Sequence, residues 1–219
     1  MNYRRMRSAT IVWLVAGLAV SGCGAHRMAP VDAKAVGSLK AEIEDADANL
    51  VGIAQGFTPK AYTVLLVEPF RVDTTQIKDE EDSRLAKDMS AYLHAQLLKR
   101  LQAAAIFSRV VDGAVARVPP AGEKVLRLQG EIPRLTEGSQ ALRYFVGFGA
   151  GAAKAQLETR FVDAASGQVQ MITVDRRAAG MGIFGGDSRQ FVTESMDQMA
   201  EGLVKFLRHL AAGGKPGAR

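Results

Sequence analysis

Cys23 is the only cysteine among 219 residues, and it stands directly behind a basic and then apolar leader. A chain built this way cannot be stapled by disulfides, so whatever folds behind Cys23 must be held by an apolar core assembled from periodic segments. Arg4, Arg5 and Arg7 form a charged n-region, Ala9 to Val20 an apolar stretch, and Ser21-Gly22 a small-residue site before the cysteine, which is the layout of a secretion signal. The apolar stretch is shorter than the ~20 residues of a membrane-spanning helix, and Gly22 to Arg27 does not extend it. An unpaired thiol suits an oxidising compartment poorly. Lipidation accounts for it, because buried acyl chains contribute about 0.8 kcal/mol per methylene to membrane attachment.

Val20-Ser21-Gly22-Cys23 resembles the bacterial lipobox. The resemblance implies cleavage before Cys23, a diacylglycerol on its sulfur with fatty chains such as palmitate, and a mature chain that begins at that cysteine. Gly24 follows, where retention at the inner membrane would call for aspartate, so the implied destination is the periplasmic face of the outer membrane. The expected first partner is therefore the membrane itself, through the N-terminal lipid. Lys and Arg total 28 against 23 Asp and Glu, and three of those cations belong to the leader. So small an excess, with no Lys/Arg block, gives nucleic acid nothing to grip.

Pattern divides the chain into a signal peptide (1–22), a lipidated N-terminus and tether (23–60), an α+β envelope domain (61–212) and a disordered tail (213–219). The tether has mixed composition, with Pro30 and Pro59 and one weak helical stretch near Leu39 to Ile43, and it reads as a spacer that lets the domain stand off the lipid. Tyr62 to Val67 is a buried strand ended by Pro69, and Asp79-Glu80-Glu81-Asp82 opens a helix whose apolar face carries Leu85, Met89, Tyr92, Leu93, Leu97 and Leu101. Those four acids lack the spacing of a calcium loop and read as helix capping. Phe107 to Val111 and Val125 to Ile132 are further strands, the second with one wet face. Lys154 to Asp163 and Val169 to Arg177 form a hairpin about Ala164-Ala165-Ser166-Gly167, with Ala155, Leu157, Thr159 and Phe161 on one side of its first strand and Lys154, Gln156, Glu158 and Arg160 on the other. A last helix carries Val192, Met196, Met199, Leu203, Phe206 and Leu210, with a capping-box pattern at Asp187 and Gln190. The predicted fold is a two-layer sandwich, a mainly antiparallel sheet with both amphipathic helices packed on one face.

Chemistry is sparse. His26 lies in the tether, and His94 and His209 fall on the polar sides of two helices, where they read as solvated. No HExxH, CxxC, GxSxG or P-loop pattern occurs, so no catalytic residue, cofactor or metal is assigned, and the protein reads as a non-enzyme. Gly147-Phe148-Gly149-Ala150-Gly151 looks like a dinucleotide loop, but a strand pattern follows it where that fingerprint needs a helix. Antiparallel pairing brings Gly151 near Gly180 and Gly147 near Phe184, within one residue for a bulge. The open end of the hairpin would then gather Phe145, Gly147, Phe148, Gly149, Gly151, Met181, Ile183 and Phe184. This cluster is either a core edge where glycines admit a helix, or a patch for self-association or a protein partner.

Residues from about Tyr62 to Leu210 resemble the bacterial lipoproteins grouped under domain of unknown function 4410. The likeness is carried by Val64 to Phe70 with its Glu68-Pro69-Phe70 ending, Phe107 to Val111, Leu128-Gln129-Gly130-Glu131-Ile132, Arg143 to Gly151, and Asp163 to Gly167. It implies no activity, ligand or catalytic residue. The expectation is a lipid-anchored, periplasm-facing interaction module of the cell envelope. An oligomeric subunit of an export or assembly machine and a small-ligand carrier are the alternatives.

Overall fold

The computed structural model describes residues 25–30, 35–115, 122–138, 152–179 and 188–217. In chain order its elements are β1 (Ala25–Arg27), β2 (Ile43–Asp45), β3 (Asn49–Ile53), β4 (Val64–Val67), β5 (Arg71–Val72), α1 (Glu80–Ala104), β6 (Arg109–Asp112), β7 (Val125–Thr136), β8 (Lys154–Asp163), β9 (Val169–Ala179) and α2 (Ser188–Ala211). The class is α+β. One sheet runs β2-β3-β9-β8-β7-β4-β6, with β1 also on β9 and β5 also on β7.

The sheet is mixed, which corrects the expectation of a mainly antiparallel one. Pairs among β7, β8, β9, β3, β2 and β1 are antiparallel, whereas β4 runs parallel to β6 and β7, and β5 parallel to β7. A hairpin can join only antiparallel neighbours, and parallel ones need a crossover. α1 is that crossover, returning the chain along the sheet so that β6 enters beside β4 in the same direction.

Asp79 caps α1, its carboxylate accepting the backbone N–H of Glu81 and of Asp82 at 2.9 and 3.0 Å, and Glu80, Glu81 and Asp82 fill the first turn, where the helix dipole favours anions. Leu85, Leu93, Leu97 and Leu101 of α1 and Val192, Met196, Phe206 and Leu207 of α2 join one apolar cluster with Leu65, Leu126, Leu128, Leu157, Phe161 and Met171 of the sheet. Val64, Leu66 and Val125 alternate with those strand residues and form a small second cluster on the other face. That face is less wet than its sequence suggests. Gln156 and Glu158 are buried on it, bonded to one another at 3.0 Å.

The segment read as a tether contributes three strands to the sheet. β3 pairs with β9 over Leu50–Ile53, β2 pairs with β3, and β1 pairs with β9 from Ala25↔Ala179 to Arg27↔Arg177. The weak helical stretch is replaced by a Val36↔Leu39 bridge and the start of β2. Strands of three and five residues are too short to show a period, and they form here because the edge of β9 offers them unpaired backbone groups. The tail also differs from expectation: the His209 ring bonds to the Lys215 carbonyl at 3.1 Å, and Gly217 N–H donates to the Asp45 carboxylate at 3.1 Å.

Gly202, inside α2, has a positional reason. A Cβ there would lie closer than 3 Å to the Asp47 carbonyl in the β2–β3 turn. Gly→Ala in a helix interior ordinarily stabilises by about 1 kcal/mol, but at this site the methyl must displace backbone, so Gly202→Ala should destabilise by about 1–3 kcal/mol. A denaturant titration in which that variant is the more stable protein would show that the turn does not rest on α2.

Candidate functional site

Cys23 and the expected patch of Phe145, Gly147, Phe148, Gly149, Gly151, Met181, Ile183 and Phe184 lie outside the described residues, as does the cap residue Asp187. What is described is the sheet end that leads to them. A bulge between Phe161 and Val162 shifts the hairpin register by one, so that Lys154 faces Ala178 and Leu157 faces Asp175. β9 therefore turns Met171, Thr173, Asp175 and Arg177 toward the helices. Two charged residues enter the core side of the sheet.

Asp175 and Arg177 form an ion pair at 2.9 Å with both side chains 7% exposed, and Arg177 Nη1 also donates to Gln198 Oε1 on α2. Two strand residues apart on one face, they meet without a turn between them. Deeper along the same face, Thr159 and Thr173 share a 2.6 Å hydroxyl bond. Arg27 reaches over the β2–β3 turn, donating to the carbonyls of Asp45 at 3.2 Å, Asp47 at 2.6 Å and Ala46. Burial lowers the Arg27 pKa, Asp175 and Asp45 oppose that shift, and the like charge of Arg177 adds to it. Asp45, itself buried, accepts the backbone N–H groups of Asp47 and Ala48 at 2.8 and 3.1 Å. Cations and carboxylates thus lock β1, the β2–β3 turn, β9 and α2 together. The arrangement can hold the N-terminal strand in place; it presents no nucleophile beside a base.

Other polar groups are engaged elsewhere. His94, expected in solvent, has a side chain only 13% exposed, with Nε2 3.2 Å from the Val67 carbonyl and 3.4 Å from Asp112, and its ring set edge-on to Phe70. The helix period placed it on a polar side, but β6 wraps that side. Tyr62 is pushed up to about 12 by burial and by its hydrogen bond to Asp163. Asp163 is held below its usual value, chiefly by the Ser166 backbone N–H. An open groove at the start of α1 is lined by Thr74, Ile77, Lys78, Glu80, Ser83, Arg84 and Lys87. Among the described residues no group of three His, Cys, Asp or Glu could hold a metal ion, and no helix is long and apolar enough to cross a membrane.

Residues 38–182 match the family model described as domain of unknown function (DUF4410). The chain belongs to the DUF4410 family. No curated protein matches it. Two structures of PelC from Paraburkholderia phytofirmans, both dodecamers, are similar at 12% and 10% identity with TM-scores of 0.41 and 0.39. Each match spans 68% of this chain, and 95% and 94% of PelC. A Xanthomonas campestris protein of family DUF330 is 10% identical with a TM-score of 0.46, over 74% of this chain and 91% of that one. The DUF4410 match begins at residue 38 and so takes in β2 and β3, in agreement with their place in the sheet.

Two of the segments that carried the resemblance prove to be one contact. Val67 pairs with Leu128 and Arg71 with Glu131, so four steps along β4–β5 oppose three along β7. The extra residue makes Glu68-Pro69-Phe70 a bulge, a place where a proline lacking N–H is tolerated. Glu68 accepts from Arg127 Nε at 2.6 Å and Gln129 Nε2 at 3.1 Å on one face, while Phe70 is thrown to the other and lies on Gly130.

Proposed function

We propose that this DUF4410 protein is a lipoprotein of the outer membrane, anchored through Cys23 on the periplasmic side, and that it serves as a non-catalytic interaction module of the cell envelope. One observation carries the reading: the sole cysteine follows a short apolar leader and two small residues, the position at which a signal is cleaved and a lipid attached. Its support in the fold is that the chain is already paired into the sheet at Ala25, two residues after Cys23. The charged groups near that entry serve to hold strands and turns, which suits a scaffold that presents surface to partners.

Cys23→Ser tests it. Fractionated cells should show the parent protein in membranes and released only by detergent, and the variant in the soluble fraction or retained as uncleaved precursor. A mature-length variant that stays in the membrane with unchanged detergent partitioning would overturn the anchor. Crosslinking of the parent in cells should then capture envelope proteins, whereas a native mass of several copies with no other partner would favour the oligomeric reading.

A further inference from the structure

We infer that the domain is held end-on against the phospholipid leaflet, with the sheet end where β1, β8 and β9 meet facing the headgroups, rather than suspended on a spacer. The inference rests on the lipid-anchor reading of Cys23 and concerns what that anchor does to the domain's orientation.

Chain length decides it. Two residues after Cys23 the backbone is already paired, Ala25 with Ala179, and two residues span at most about 7 Å. A free spacer running from Cys23 to residue 60 would instead place the domain roughly 30–40 Å away on average. β1 is fixed at that position by more than its ladder. Arg27 donates to three successive carbonyls of the β2–β3 turn, Met28 N–H continues the pairing onto the Arg176 carbonyl at 2.9 Å, and Arg176 Nη1 donates to the Ala29 carbonyl at 3.0 Å. Lys40 also lies against the sheet, where a Cβ on Gly52 would strike its carbonyl. The lipid is thus attached to the sheet end through a clamped strand.

That end is polar and carries charges of both signs, which suits the headgroup region of a phospholipid leaflet. The last register rows place His26, Ala178 and Lys154 side by side, then Arg176 and Gln156 beside Arg134. Acids lie there too: the first turn of α1 carries Glu80, Glu81 and Asp82, of which Asp82 accepts the Glu137 backbone N–H at 3.0 Å, Glu137 is paired with Arg189 at 3.5 Å, and Asp45 and Asp47 stand in the turn that Arg27 clamps.

The test uses the full lipidated protein in vesicles of phosphatidylethanolamine and phosphatidylglycerol. Because Cys23 is occupied by lipid, a single introduced cysteine is the only free thiol, and it carries a fluorophore at Lys154→Cys or at Ser166→Cys. The ten residues of β8 separate those ends by about 33 Å. Quenchers placed in the lipid headgroups should quench the label at 154 strongly and leave that at 166 unaffected. Equal quenching at the two positions, or quenching at neither, while the protein floats with the vesicles would overturn the end-on orientation and leave the anchor standing. Flotation of the Cys23→Ser protein equal to that of the lipidated protein would instead overturn the anchor, whatever the orientation.

Discussion

Asp175→Ala should destabilise the fold by about 3–5 kcal/mol, read as a lowered midpoint in a denaturant titration of the detergent-solubilised protein. The cost comes less from losing an attraction than from what stays behind: Arg177, 7% exposed and facing α2, would keep its charge with Gln198 as its remaining partner. Arg27 would lose one of the two carboxylates that offset its burial, so β1 should loosen in the same variant. Changing the pair together gives the opposite expectation. Asp175→Leu with Arg177→Met removes both desolvation costs and adds apolar surface beside the core, so the double variant should be as stable as the parent or more so. Gln198, on the exposed side of α2, can turn to water. An Asp175→Ala loss below about 1 kcal/mol would mean that the pair is solvated, and a double variant as unstable as the single one would mean that the charges are needed for more than each other.

This pair also shows where sequence reading stops. β8 is legible to the residue, Lys154 to Asp163, because ten alternating positions followed by an Asp-Ala-Ala-Ser-Gly turn leave no other register for its own side chains. α1 and α2 are legible because their apolar stripes, Leu85 to Leu101 and Val192 to Leu210, each run for about five turns. The face that β9 presents is not, since it depends on a one-residue bulge at Phe161/Val162 that alternation alone cannot locate. The signal that could have found Asp175 and Arg177 is their opposite charge at a two-residue spacing within a strand otherwise built from apolar and β-branched residues. β1 to β3 escaped for another reason: three to five residues with mixed polarity acquire their structure from the edge they join. The parallel half of the sheet follows from α1 acting as a crossover, which the element order admits but does not require. A helix period carries no information on the strand that packs across it, so it cannot place His94 against Asp112 of β6. The candidate patch is marked only by its glycines and aromatics, and its residues lie outside the described ones, whereas the clamp around Arg27 is made of residues with the mixed composition of a spacer.

The contact between Phe70 and Gly130 gives the second large effect, and it tests whether the two segments are one device. Phe70 is 7% exposed and belongs to the main core, so Phe70→Ala should cost about 3–5 kcal/mol through lost burial and the space left behind. Gly130→Ala should cost about 1–3 kcal/mol for the reverse reason, because its new Cβ would meet the Phe70 ring at 2.5 Å in a filled core. The two changes compensate when combined. The methyl on residue 130 enters volume that the ring has vacated, and alanine suits a strand better than glycine does, so the double variant should lose at least about 1 kcal/mol less than the sum of the single losses. Glu68→Ala serves as the control, since its partners Arg127 and Gln129 lie on the opposite face of β7 and its loss should add to Gly130→Ala without coupling. Additivity of Phe70→Ala and Gly130→Ala within about 0.5 kcal/mol would mean that ring and glycine do not meet. The Glu68-Pro69-Phe70 bulge would then need some reason other than delivering an aromatic ring onto β7.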